Sequence, residues 1–198
     1  IAEGLKDYHK IVVMTPASLE KNYKTELKFC GDNIFRKNHH WTFVRNNPSN
    51  ATQIEELKKI LNIPVTILRK NGGIWTTEPT KKNNYSTLNG DEQKSLNIQI
   101  DALISNKYHF IHYNGLRNID KYEAEGLRNG GNYFNNKVVI IDEVHNFIGT
   151  ISNQLGRENS FNYKLYNYLM DAENCKIVFL TGTPIINYPN EIGIFFNM

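Results

Sequence analysis

The sequence predicts an α/β domain built on a parallel, doubly wound sheet. The β-branched run 11–15 and the uninterrupted apolar runs 137–141 and 176–180 lack the polar alternation of a half-exposed strand, as strands covered on both faces do, and 109–113 is strand-like. Stretches with helical spacing of apolar residues lie between them, and proline or glycine stands just beyond several runs, at Pro16, Gly182 and Pro184. With 198 residues the chain is long enough for one such domain and short for two, so 1–198 reads as a single domain.

The elements follow in order. Residues 1–6 read as the end of a helix. Ile11-Val12-Val13-Met14-Thr15 is a strand stopped by Pro16, and Ser18 then caps a helix to about Phe29. Leu19, Tyr23 and Leu27 form its apolar stripe, Glu20 and Lys24 stand four apart on an exposed face, and Gly31 closes it. From about 33 to 89 the pattern weakens into polar stretches and reads as an insertion or lid. This region contains a helix near 53–61 and a hairpin in which residues 65–69 and 74–77 flank Asn71-Gly72-Gly73. A helix over 92–105, with Leu96, Ile100, Leu103 and Ile104 on one stripe, leads into the strand 109–113. The strand 137–141, a helix over 160–171 and the strand 176–180 complete the alternation.

Composition narrows the class. Apolar residues make up 40% and charged residues 22%, the balance of a folded domain and not of a disordered tail. The longest apolar runs fall far short of the roughly 20 residues of a membrane-spanning helix, so no membrane partner is expected. The first residues lack the basic and apolar regions of a secretory signal. Cys30 and Cys175 stand alone without CxxC spacing, which indicates neither zinc nor a disulfide framework and fits a reducing cytoplasmic or nuclear setting. A formal charge of +3 is compatible with nucleic acid and with much else, so net charge decides nothing.

In a parallel sheet, ligands sit beyond the carboxyl ends of the strands. After the strand ending at Ile141 come Asp142, Glu143, Val144 and His145; after the strand ending at Leu180 come Thr181, Gly182, Thr183 and Pro184. A carboxylate fixed at that edge can hold Mg through water, and a second can polarise an attacking water. Acidic residues also end strands simply because strands end at solvent, and a Gly-Pro turn alone is usually only a loop. Both boxes at one edge carry more information than either.

Together they resemble motifs II and III of superfamily 2 helicases, the DExH box and the Leu-Thr-Gly-Thr-Pro-x-x-Asn stretch of Snf2-like members. Residues 14–19 look like motif Ia, and Ile111-His112-Tyr113-Asn114 like motif Ib. Asn22 and Lys24, Cys30-Gly31 and residues 108–115 are further similar to helicase-like proteins of nucleocytoplasmic large DNA viruses. The resemblance implies a RecA-like (P-loop NTPase type) fold with helices on both faces of its sheet, and an ATPase that moves along, unwinds or remodels DNA or RNA. It gives Asp142 to the Mg of a bound ATP, Glu143 to the water, and His145 with Thr181, Gly182 and Thr183 to coupling between nucleotide and nucleic acid. Thr15, Pro16, Ser18 and Asn114 would lie along the nucleic-acid backbone. An intracellular setting, including a viral replication site or the virion, would follow.

One departure from the family pattern stands out: no Gly-Lys dipeptide occurs in the chain, so the GxxxxGK[ST] phosphate loop and its strand are lacking. The expectation is that the sequence begins just downstream of that loop. A second RecA-like domain, the source of arginine fingers, is expected beyond it, and the chain alone is expected to be nearly inert toward ATP. The alternative is a non-catalytic binding module derived from such a domain. His39-His40-Trp41, Lys81-Lys82 and Arg69-Lys70 read as solvated surface, and Trp75 as hairpin packing with base stacking as its functional alternative.

Overall fold

A computed structural model describes Gly4 and residues 10–112, 120–128, 131–153, 160–183 and 190–197. The expected helix end at 1–6, Asn114 of the motif Ib stretch and Pro184 to Asn187 lie outside the described residues. The strands are β1 (Lys10–Met14), β2 (Trp41–Arg45), β3 (Gly73–Thr77), β4 (Tyr108–Ile111), β5 (Lys137–Asp142) and β6 (Lys176–Leu180). The α-helices are α1 (Glu20–Cys30), α2 (Ala51–Ile60), α3 (Val65–Asn71), α4 (Gly90–Lys107), α5 (Asp120–Arg128), α6 (Val144–Ser152), α7 (Phe161–Met170) and α8 (Asn190–Asn197).

Two compact units emerge, Ile1–Glu20 with Tyr108–Met198, and Lys21–Lys107. The first holds a four-stranded sheet in the order β4-β1-β5-β6 with every pair parallel, flanked by helices. This is the α/β class the apolar runs predict. Register decides which side chains share a face. Met14 pairs with Ile141 and Ile111, and Ile141 with Phe179, so these residues look the same way. Their face, with Val12 and Val139, is covered by Val144, Phe147, Ile148 and Ile151 of α6, Leu165 and Leu169 of α7, and the rings of Tyr122, Tyr133 and Phe134. Each fully buried large apolar side chain contributes about 1.5–3 kcal/mol. The helix α7 starts as its sequence predicts, with Ser160 Oγ accepting from the Tyr163 amide at 3.4 Å.

The second unit pairs β2 with β3 in an antiparallel ribbon. Its longest helix, α4, buries Leu96, Ile100, Leu103 and Ile104, the stripe read from spacing. The stretch 33–89 lies within this unit.

Two local expectations are corrected. Residues 65–69 do not form one arm of a hairpin: residues 65–71 are the helix α3, and Asn71-Gly72 is its stop. Gly72 adopts φ 69°, the left-handed conformation that both a tight hairpin turn and a helix C-terminus require, and its amide donates to the Leu68 carbonyl. The partner of β3 is instead β2, with Phe43 opposite Trp75. Ser18, expected to cap α1, lies inside a 3-10 turn (Ala17–Leu19) that begins after Pro16 and has no side-chain cap bond. Pro16 turns the chain one step early, so the helix is entered through that turn.

Candidate functional site

Strand β5 ends at Asp142, which pairs with Leu180 on β6, so Thr181 leaves the sheet beside it. On the other side Met14 pairs with Ile141, so Thr15 leaves β1 next to Asp142. The Thr15 amide donates to the Ile111 carbonyl at 2.9 Å and extends the ladder past the end of β1. Three of the boxes read from sequence therefore meet at one edge. The chain leaves β1 toward β4 and leaves β5 toward β6, in opposite directions, so the gap between Thr15 and Asp142 is the topological switch point at which parallel sheets hold ligands.

Local backbone geometry sets the acidic pair. Among the described residues, four other than glycine have positive φ; three are asparagines, which tolerate it, and the fourth is Glu143 at φ 52° and ψ 47°. A left-handed Glu costs about 1–2 kcal/mol over an ordinary conformation. It turns the chain from β5 into α6 within one residue, with the Glu143 amide donating to Asp142 Oδ1 at 3.0 Å. The buried Val144, Phe147, Ile148 and Ile151 hold α6 to the sheet and keep this turn in place.

His145 lies in the first turn of α6, and its Nδ1 is 2.9 Å from Thr181 Oγ1, 3.3 Å from Thr183 Oγ1 and 3.4 Å from Glu143 Oε2. Thr181 Oγ1 also accepts from the Thr183 amide at 3.1 Å. One nitrogen thus joins the acidic turn to the loop after β6. A neutral ring with its proton on Nε2 accepts from a threonine hydroxyl there; a ring protonated at Nδ1 donates to the Glu143 carboxylate.

Of the expected backbone-contacting residues, Thr15 is fully buried, Pro16 half-buried and Ser18 exposed. Gly182 is open on its outer side, with nothing within 4 Å of where a Cβ would stand, and Thr183 is exposed. Sequence reading gave no role to a contact pair that the structure shows: His112 Nε2 lies 2.7 Å from Glu20 Oε2, and its Nδ1 3.3 Å from the Thr15 carbonyl. This histidine ties the exit of β4 to that of β1. In the sequence His112 stands within the run 109–113 and the motif Ib-like stretch, and nothing there pairs it with Glu20.

The donor set suits a hard cation brought in with its ligand. Thr15 Oγ1 is buried with no hydrogen-bond partner among the described residues. Among the described residues no group of three or more His, Cys, Asp or Glu converges as a metal cage. The half-buried Asp142 carboxylate at this edge matches Mg, which keeps much of its water and leans on substrate phosphates.

Similar sequences occur among viral proteins. The mimivirus protein R563, named provisionally as an ATP-dependent RNA helicase, is 28% identical over 200 residues covering all of this chain and 26% of its own length. The chain is thus similar in sequence to proteins of large DNA viruses whose names describe ATP-dependent RNA helicases. A termination factor NPH-I homolog of African swine fever virus is 35% identical over 97 residues, 48% of this chain and 13% of that protein. A second mimivirus protein, R350, also named provisionally as an ATP-dependent RNA helicase, is 37% identical over 67 residues, 30% of this chain and 8% of its own length. No protein-family model matches the chain. The chain spans about a quarter of the length of R563 and less of the other two relatives. No helix among the described residues is long and apolar enough to cross a membrane.

Proposed function

We propose that this chain supplies the magnesium-binding and water-activating edge of a nucleic-acid-dependent ATPase, an intracellular helicase or translocase acting on DNA or RNA. The observation that carries this is the His145 bridge: Asp142 and Glu143 leave β5 beside Thr181, and His145 Nδ1 reaches Thr181 Oγ1 at 2.9 Å. Asp142 would hold the Mg of a bound ATP, which when present offsets the charge on the β and γ phosphates. Glu143, half-buried and fixed by its left-handed backbone, accepts the proton of the attacking water. His145 moves with α6, so a change at Glu143 reaches the loop of Thr181, Gly182 and Thr183 through the shared nitrogen. Thr15, Pro16 and Ser18 begin the path along the nucleic-acid backbone, joined by Asn114. The loop that holds the phosphates and a second RecA-like domain belong to the same proposal.

The test compares two variants in ATPase-active protein carrying this chain. Glu143→Gln keeps shape and hydrogen bonding, so nucleotide affinity should hold while turnover collapses. Asp142→Asn should weaken Mg-dependent nucleotide binding itself. Wild-type turnover in Glu143→Gln rejects the assignment. A non-catalytic binding module would instead bind its partner equally well in both variants.

A further inference from the structure

The unit Lys21–Lys107 contains a cleft of about 500 Å³ whose walls use none of the residues discussed above for the sheet edge. Phe43 and Trp75 face each other across the β2–β3 ribbon with ring centroids 4.9 Å apart and planes tilted by 49°. Trp75 is a fixed wall: its amide donates to Gln99 Oε1 at 2.8 Å, its carbonyl accepts from Gln99 Nε2 at 2.7 Å, and its Nε1 donates to Ser95 Oγ at 3.1 Å. Phe43 is only half-buried and offers ring surface to the cleft. Gly73 makes this possible, because a Cβ there would lie 2.6 Å from Phe43 Cζ and 2.3 Å from the Val44 carbonyl oxygen. Any side chain at 73 would push the ring from its seat.

Two residues along β2 from Phe43, and so on the same face, stands Arg45, paired with Gly73 and exposed. Its carbonyl is anchored by the Asn47 amide and by Asn50 Nδ2, while its guanidinium has no partner among the described residues. The two carboxylates in the cleft are engaged. Glu92 Oε2 accepts from the Asn89 amide at 2.9 Å in a capping box, and Asp91 lies 3.5 Å from Lys94. Both carboxylates lie in the first turn of α4, where they offset the helix dipole, and Arg45 on β2 is the one cation among the described residues of the lining. Asn71, whose Nδ2 donates to the Ser95 carbonyl, keeps its Oδ1 as an acceptor beside the rings.

An open aromatic ring, an adjoining arginine and a side-chain amide between them match a planar heterocycle carrying a phosphate. We propose that this cleft binds one unpaired base of a single-stranded nucleic acid, stacked on Phe43 with the adjoining phosphate on Arg45. The choice of nucleic acid rests on the motor reading above; the cleft itself rests on its own geometry. Bases on aromatic platforms beside basic residues are the usual means of sequence-tolerant strand binding.

The test is fluorescence anisotropy of labelled single strands about 12 nucleotides long, as RNA and as DNA, with the 198-residue chain. Single strands should bind and a blunt duplex of equal length should compete poorly. Phe43→Ala should weaken binding by about 5- to 150-fold, the loss of one stacked base, while Phe43→Tyr restores it. Arg45→Ala, at an exposed position that leaves folding intact, should lower the slope of log affinity against log salt by about one. Thermal melts confirm that each variant is folded. The proposal is overturned if Phe43→Ala binds as wild type does, if Tyr fails as Ala does, or if no single strand binds. Displacement of the strand by a mononucleotide or an acidic peptide at equal concentration also overturns it. A negative result here leaves the Glu143 turnover test untouched, and failure of Glu143 as a base leaves strand affinity unchanged, so the two readings fail separately.

Discussion

The two ends of the parallel sheet concentrate polar side chains in opposite ways. At the carboxyl edge, Asp142, Glu143, His145, Thr181 and Thr183 are gathered by short turns and bonded to one another at the rim. At the amino edge, Lys137, His109 and Cys175 are half-buried around the buried ring of Tyr133. Lys137 Nζ sits 3.5 Å from the centre of the Tyr133 ring and bonds to the Tyr133 carbonyl, and Tyr133 bonds His109 through its hydroxyl. Burial is the leading cause of every shift there. It pulls Lys137 down to about 8, with Lys10 adding repulsion and Glu125 opposing; it pushes Cys175 up to about 11, lowers His109 and raises Tyr133. A search for function by displaced pKa would settle on the amino edge, where the cause is desolvation in a core. The convergence of side chains at a switch point is the better guide here.

Turnover is the largest way to break this contrast. In ATPase-active protein carrying the chain, Glu143→Gln should cost about 10²- to 10⁴-fold in rate, whereas Lys137→Met should leave the rate near wild type. A comparable loss from Lys137→Met would move the chemistry to the other edge. Next in size is the mooring of the carboxyl edge. Phe147 on α6 is 1% exposed, and Phe147→Ala should lower urea-unfolding stability by about 3–5 kcal/mol.

The amino edge makes its own prediction through pH. A lysine whose pKa is lowered on folding binds fewer protons in the folded than in the unfolded state between the two values, so stability rises with pH from about 8 upward. Cys175 acts oppositely above its ordinary value of 9, where the unfolded thiol ionises first, so the clean window is pH 8 to 9. Unfolding midpoints should rise across that window in wild type and stay flat in Lys137→Met. Because the amine keeps part of its solvent, the stabilisation of Lys137→Met at pH 7 should be only about 1 kcal/mol. A midpoint that falls from pH 8 to 9 in wild type would show that Lys137 is not desolvated.

Thr15→Val should have the smallest effect on folding and still sharpen the contrast. Its buried hydroxyl has no partner among the described residues, so stability should stay within about 1 kcal/mol or rise in urea unfolding. A stability loss well beyond that would mean that the hydroxyl is already satisfied in the folded chain.

Much of this is legible along the chain alone. The strands β1 and β5 are, because continuous Val and Ile runs have few places to go except between covered faces, and β6 shows the same run at the sheet's edge. So is the α4 stripe, because its period is local. Harder to read is 65–71, since Asn-Gly serves a hairpin and a helix stop equally well. Only the pairing of Phe43 with Trp75, 32 residues apart by sequence number, decides between them.

By itself, then, the sequence determined the class of fold, the strands and the residues at their carboxyl ends, because period, branching and punctuation act over a few neighbouring residues. Only the tertiary structure decided that Asp142 stands between Thr15 and Thr181, that His145 meets the threonine loop, and that Gly73 seats the Phe43 ring over an open cleft. These are matters of strand order and register, fixed by packing between segments far apart in the chain, and no local pattern encodes them.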